Sequence, residues 1–202
     1  MAQWLFILHK RRHAGRINWF TNRLVSFEQA ISLVESLNPT YMTETVHLES
    51  GSASPQFSAV DQNGKEHALS EYMKQGKTVI LYFYPKDSTP GCTTQACDFR
   101  DNMAQLNQGD YVVLGVSKDS SASHQRFVDK QELNFPLLVD EDLALHHAFG
   151  TWRLKKNYGR EYMGCARSTF VIQPDGQIGW CRYNVKAKGH VGMLMRELGL
   201  GE

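Results

Sequence analysis

Two cysteines five positions apart, Cys92 and Cys97, carry the most legible chemistry of this chain. Cys92 closes the stretch Pro85-Lys86-Asp87-Ser88-Thr89-Pro90-Gly91-Cys92, which comes after the apolar run 78–84 and leads into a helical pattern. A strand–loop–helix junction of this kind places Cys92 in the first turn of a helix. The free N–H groups and the positive end of the helix dipole favour a thiolate there. A thiolate attacks peroxides and disulfides, and a second thiol nearby can trap the sulfenic acid that oxidation leaves behind. The pair therefore points to thiol redox chemistry.

The helix imposes a condition on that chemistry. Ala96, Phe99, Met103 and Leu106 form an apolar stripe. At 100° per residue Cys92 shares this face, toward a sheet, whereas Cys97 is rotated about 140° to the flank. Five helical residues separate the two Cα atoms axially by roughly 7.5 Å, beyond the ~4.4–6.8 Å that a disulfide spans. The thiols can join only if the first turns unwind. A metal reading has less support, because the pair has neither a C-x2-C partner nor a spaced histidine cluster. Cys165 and Cys181 read as small buried hydrophobes, and His146-His147 as one solvated and one half-buried histidine.

The elements that must position the pair belong to an α/β chain. Segments 55–60 and 67–69 flank Asp61-Gln62-Asn63-Gly64, a hairpin signal. Strands are expected at 78–84, 111–117, 136–140, 168–172 and 178–184. Helices are expected at 91–107, 121–132, 141–149 and 189–199. The last two strands are joined through Gln173-Pro174-Asp175-Gly176-Gln177, so the sheet has mixed direction. The segment 153–160, with Arg153, Lys155, Lys156 and Arg160, reads as a solvated basic loop that could attract an acidic reductase partner.

Composition narrows the class. The 202 residues carry a net charge of +1 with 42% apolar residues, ordinary for a globular protein, and predict no nucleic-acid partner. The balance is uneven: within 1–42, Lys10, Arg11, Arg12, Arg16 and Arg23 face only Glu28 and Glu35, a net of +3. Residues 1–41 read as a basic extension with a short amphipathic helix at 26–37, and 42–202 as one domain. The extension is a dispensable segment ahead of Met42, a targeting sequence or a docking element. Four cysteines in this length do not make a secreted disulfide scaffold, and no apolar run approaches the 18 residues of a membrane span. A cytoplasmic location is expected, with organelle targeting by the extension as the alternative.

Together these residues resemble a known family. Pro85-x3-Thr89-x2-Cys92 is similar to the peroxiredoxin active-site motif, and the run from Tyr82 to Cys97 resembles its bacterioferritin comigratory protein, or peroxiredoxin Q, subgroup. Lys155-Lys156-x-Tyr158-Gly159-Arg160-Glu161-Tyr162-Met163-Gly164 and Arg167-Ser168-Thr169-Phe170-Val171-Ile172 are similar to it as well. The resemblance covers about 42–202. It implies a thioredoxin-like fold, a mixed central sheet flanked by helices, with an N-terminal β-hairpin addition. It also implies that Cys92 is the peroxidatic thiol and Cys97 the resolving one, with Thr89, Arg167 and Pro85 around the peroxide. A thioredoxin or glutaredoxin-like dithiol would recycle a monomer or weak homodimer that needs no cofactor or metal. Cys165 stands where a non-thiol residue is expected, so it and Cys181 remain alternative resolvers. A disulfide oxidoreductase would place C-x2-C at the helix mouth; a peroxide-sensing relay or a holdase could use the same sulfenate.

Thiol acidity alone does not make such a site fast. Lowering a thiol pKa from ~8.5 to ~6 raises its thiolate fraction at neutral pH about thirtyfold. The same change lowers intrinsic nucleophilicity about tenfold. Most of the acceleration must come from groups that orient the O–O bond and stabilise charge on the leaving oxygen.

Overall fold

The structure is a computed structural model that describes residues 46–157 and 159–201. The helix expected at 26–37 lies outside these residues. The apolar run Thr78–Phe83 forms β3, the middle strand of a five-stranded sheet, and all of it except Thr78 is buried. A continuous apolar run has no polar face to offer water, so it is stable only with layers on both sides. On one side β3 pairs in parallel with β4 (Tyr111–Ser117), which pairs in parallel with β5 (Leu137–Val139). On the other it pairs antiparallel with β8 (Ser168–Ile172), which pairs antiparallel with β9 (Ile178–Arg182). The order is β5-β4-β3-β8-β9, a mixed sheet as expected.

Alternate residues of β3 serve different cores. Ile80 and Tyr82, with Tyr84 just beyond the strand, pack with Cys92, Ala96, Phe99 and Met103 of helix α2 (Pro90–Gln108), with Phe127 of α3 (Ser121–Gln131) and with Val191 and Leu194 of α5 (His190–Glu197). Val79, Leu81 and Phe83 face Leu69 of the short helix α1 (Leu69–Lys74), Leu145 of α4 (Ala144–Ala148), Phe149 and Phe170. A fully buried ring such as Phe99 contributes about 1.5–3 kcal/mol over leaving it in water. Gly115 of β4 makes room for the Tyr82 ring: a Cβ there would lie 2.9 Å from the Tyr82 hydroxyl and 2.6 Å from Leu137. The N-terminal hairpin pairs β1 (Ser58–Val60) with β2 (Glu66–Ala68). Its turn is held by the Asp61 carboxylate, which accepts the amides of Asn63 (2.8 Å) and Lys65 (3.0 Å).

Three expectations need correction. The basic segment at 153–160 faces solvent as expected but is not a loop: it belongs to a second hairpin, β6 (Trp152–Asn157) with β7 (Arg160–Cys165). Its residues show no period-two alternation in burial, with Leu154, Tyr162 and Met163 exposed, and cations are engaged around it: Lys118 lies over the Trp152 ring and Arg153 over that of Tyr183, at 5.6 and 4.1 Å. The helix expected at 141–149 is only Ala144–Ala148, because Leu143 adopts φ 64° and Asp140 caps the amides of Leu145 (3.0 Å) and His146 (2.8 Å). His147 is exposed, but His146 is fully rather than half buried, 2.5 Å from the Asp140 carboxylate. Helix α1 is too short to show a period.

His190 yields a pH prediction. It starts α5 with its Nε2 at 2.9 Å from the Thr169 hydroxyl, and burial, reinforced by the charges of Arg167 and Arg182, pushes its pKa down to about 4. Between about 4 and the ordinary value of 6.5 the unfolded chain binds a proton that the folded one refuses. Stability present above pH 6.5 is therefore lost as pH falls through this window, by about 2 kcal/mol between pH 7 and 5. His190→Gln keeps a partner for Thr169 but cannot titrate. Urea unfolding at the two pH values should show a smaller loss in this variant than in the wild type.

Candidate active site

The site forms where β3 runs out. The register pairs Phe83, the last residue of β3, with Ser168, the first of antiparallel β8. The loop at 85–89 and the residue just ahead of β8, Arg167, therefore emerge at the same end of the sheet. This brings Arg167 to Cys92, 75 positions away, with its Nη2 donating to Sγ at 3.1 Å. The Arg167 Nη1 donates to Oε1 of Gln95, one turn beyond Cys92 on the same helix face. The Arg167 backbone is pinned by the Val185 amide, which donates to its carbonyl at 2.9 Å.

Helix α2 opens as its sequence dictates. Thr89 is extended, Pro90 takes the first helical position, and the Thr93 amide makes the first turn's bond to the Thr89 carbonyl at 2.8 Å. The amides of Gly91 and Cys92 are thus among the unpaired donors at the helix mouth. Cys92 is 2% exposed, and a Cβ on Gly91 would touch both Arg167 Nη2 (3.6 Å) and Ala187 (3.4 Å). Only a small ligand could share this space with the sulfur. Tyr82, fully buried behind it, has a hydroxyl without a partner among the described residues. Burial first, and then negative charge on Cys92, push its pKa well above the usual range, so it remains a donor.

The expected residues are only partly gathered. Cys92 and Arg167 are in contact. Thr89 is half-buried three residues ahead of Cys92, but its hydroxyl donates to the Lys86 carbonyl at 3.1 Å, and the structure draws no bond between it and Arg167. Its oxygen still has lone pairs to offer. Pro85 is half-buried at the start of the loop. Cys97 lies on the flank of the unbroken α2, half-buried, its Sγ donating to Gln131 Oε1 at 3.7 Å. Both thiols are free, as the helix geometry requires of this arrangement. The Cys165 thiol is pushed up to about 12 by burial, against the opposing charges of Lys155 and Arg167. That of Cys181 is pushed up by burial too, and it donates to the Leu48 carbonyl at 3.3 Å.

Two groups went unread in the sequence. Gln95 could have been found, since it falls three residues after Cys92 on the buried face. The second centres on Asp87, which is 5% exposed inside the loop. Its carboxylate accepts from Tyr84 Oη (2.7 Å), Ser123 Oγ (2.8 Å) and His124 Nδ1 (3.0 Å). Its amide donates to Asp119 Oδ2 at 2.9 Å, which also accepts from Ser117 Oγ at 2.8 Å. Burial raises the Asp87 pKa, but hydrogen bonding and charge from His124, with Tyr84 and Ser123, outweigh it and hold the carboxyl below its ordinary value. No local motif announces partners over thirty residues away.

Known proteins resemble this chain in sequence and fold. The AhpC/TSA family model matches residues 50–181. Peroxiredoxin Bcp of Bacillus subtilis is 46% identical over 151 residues, covering 75% of this chain and 95% of that protein. Peroxiredoxin Bcp of Escherichia coli K12 is 41% identical over the same length, covering 75% and 96%. Among solved structures, a cysteine-to-serine mutant of Xanthomonas campestris peroxiredoxin Q aligns with a TM-score of 0.67 at 38% identity, over 71% of this chain and 90% of that one. A similar mutant of Xylella fastidiosa PrxQ aligns with a TM-score of 0.71 at 34% identity, over 76% and 97%. With a thioredoxin-like sheet, a buried cysteine at a helix mouth and an arginine on its sulfur, the chain belongs to the AhpC/TSA family of thiol-dependent peroxidases, in its Bcp/peroxiredoxin Q branch.

Proposed function

We propose that Cys92 is the peroxidatic cysteine and that Cys97 resolves it. The Cys92 sulfur attacks one peroxide oxygen, the O–O bond breaks, and the other oxygen leaves with its electron pair and takes up a proton. The resulting sulfenic acid condenses with the Cys97 thiol, forming the disulfide and releasing water. A thioredoxin or similar dithiol then becomes oxidised as it restores both thiols. Hydrogen peroxide and organic hydroperoxides both satisfy this chemistry.

One observation carries the reading: Arg167 Nη2 lies 3.1 Å from the Cys92 sulfur while Gln95 holds the other arm of the guanidinium. A rigid fork that never deprotonates can contact the sulfur and the departing oxygen together. Thr89 and the free Cys92 amide would complete the cradle, and Pro85 would shield it from water. The intact α2 supports a cycle in which the helix opens before the disulfide closes.

Thioredoxin-coupled peroxide consumption tests the assignment. Cys92→Ser should abolish turnover, and Cys97→Ser should oxidise once and stall. Multi-turnover activity in Cys92→Ser would sink the proposal, and continued cycling in Cys97→Ser would move resolution to Cys165 or Cys181. A wild type that is oxidised once yet never recycled by any dithiol would favour a sensing relay. Arg167→Lys keeps the charge but loses the fork. It should lower kcat/KM for peroxide about 10²–10³-fold, the loss typical of removing one donor to a developing oxyanion; a change under threefold would contradict the role given to Arg167.

A further inference from the structure

Asp87 and His124 do not touch the sulfur, yet they meet every requirement of a device that holds the loop leading to it. His124 is fully buried, with Nδ1 at 3.0 Å from the Asp87 carboxylate and Nε2 at 3.2 Å from the Leu138 carbonyl. Both ring nitrogens thus face acceptors. The ring donates from Nδ1 to the carboxylate, and Nε2 lies against the carbonyl. Asp87 and His124 form a buried charge-assisted hydrogen bond in which Tyr84 and Ser123 fill the remaining carboxylate positions.

Such a pair is an inefficient source of stability, because desolvation of the carboxylate offsets much of the attraction, but removing a donor leaves a buried carboxylate short of partners. It is better suited to fixing geometry. Here it ties the loop at 85–89 to α3, through Ser123 and His124, and to β5, through Leu138. The next residue, Ser88, adopts φ 57°, a left-handed conformation that a non-glycine residue keeps only when its neighbours enforce it. One residue further, Thr89 opens α2. Release of Asp87 would let Ser88 relax and loosen the turn that carries Cys92.

We propose that Asp87 and His124 are positioning residues that keep this turn folded, and so set how long the Cys92 sulfenic acid remains in the pocket before the helix opens to Cys97. Two reactions compete for that acid. Condensation with the Cys97 thiol gives the disulfide and water. Attack on a second hydroperoxide gives the sulfinic acid and the corresponding alcohol or water, and is not reversed by a dithiol. A firm latch favours fast reaction with peroxide and a larger share of over-oxidation; a loose one favours resolution. The inference rests on Cys97 being the resolving thiol.

Asp87→Asn removes the carboxylate charge and His124→Gln the imidazole donor, each keeping much of the size and hydrogen-bonding capacity of the residue it replaces. Reduced protein is mixed with excess peroxide, and disulfide and sulfinic acid are counted by mass spectrometry in quenched samples. In both variants, oxidation of Cys92 should slow about tenfold, the scale of one charge-assisted hydrogen bond. The Cys92–Cys97 disulfide should form faster, and the sulfinate fraction should fall several-fold below wild type. A purely structural role would lower the melting temperature and leave the ratio of sulfinate to disulfide unchanged, and that outcome overturns the proposal. Should these variants fail to fold, Ser123→Ala removes one donor from the half-buried rim of the pair. It should shift the ratio in the same direction by a smaller amount, and no shift overturns the proposal. Absence of the Cys92–Cys97 disulfide in the wild type would instead remove the resolving assignment, and this inference with it.

Discussion

Everything in this site depends on the guanidinium of Arg167 lying against the Cys92 sulfur. The arginine is half-buried, and among the described residues no carboxylate lies within ion-pair distance of it. Gln95 supplies a neutral acceptor for one arm and leaves the charge uncompensated. Negative charge on sulfur or on a departing oxygen is then its natural counter-ion, and opposite charges at this range favour each other strongly where water is scarce. Nearby, His190 is held neutral by burial and by Arg167 and Arg182, so it adds no second cation to compete for the same charge.

The sheet makes this contact possible. Because β8 runs antiparallel to β3, the start of one strand lies beside the end of the other, and residues 75 apart meet at one end of the sheet. The burial of β3 on both faces fixes that register, since slippage by a single residue would exchange the Tyr82 and Phe83 faces between two different cores. The loop at 85–89 is therefore held firmly at one end by the sheet and at the other by the first turn of α2. The strained Ser88 between them is tolerated because Asp87 is anchored from below.

Local chemistry made part of this legible in the sequence. The apolar run at 78–84, the Pro-Gly before Cys92 and the stripe through Phe99 each obey short-range rules, and β3, the α2 mouth and the buried face appear where those rules put them. The hairpin of β6 and β7 escaped because its largely solvent-facing strands carry no alternation and its support, Trp152 under Lys118 and Tyr183 under Arg153, comes from distant segments. Thr89 could be placed beside Cys92 by spacing, but spacing could not show its hydroxyl turned to the Lys86 carbonyl. The union of Asp87 with His124 was hidden for the same reason: a buried hydrogen-bonded pair is a property of the assembled fold, and neither residue belongs to a local pattern.

The most direct test of the account asks which sulfur meets the peroxide. Reduced protein treated with one equivalent of hydroperoxide in the presence of a sulfenic-acid trap such as dimedone, then digested and mapped, should carry the adduct on Cys92. An adduct forming first on Cys97, Cys165 or Cys181, with Cys92 left unmodified, would contradict it.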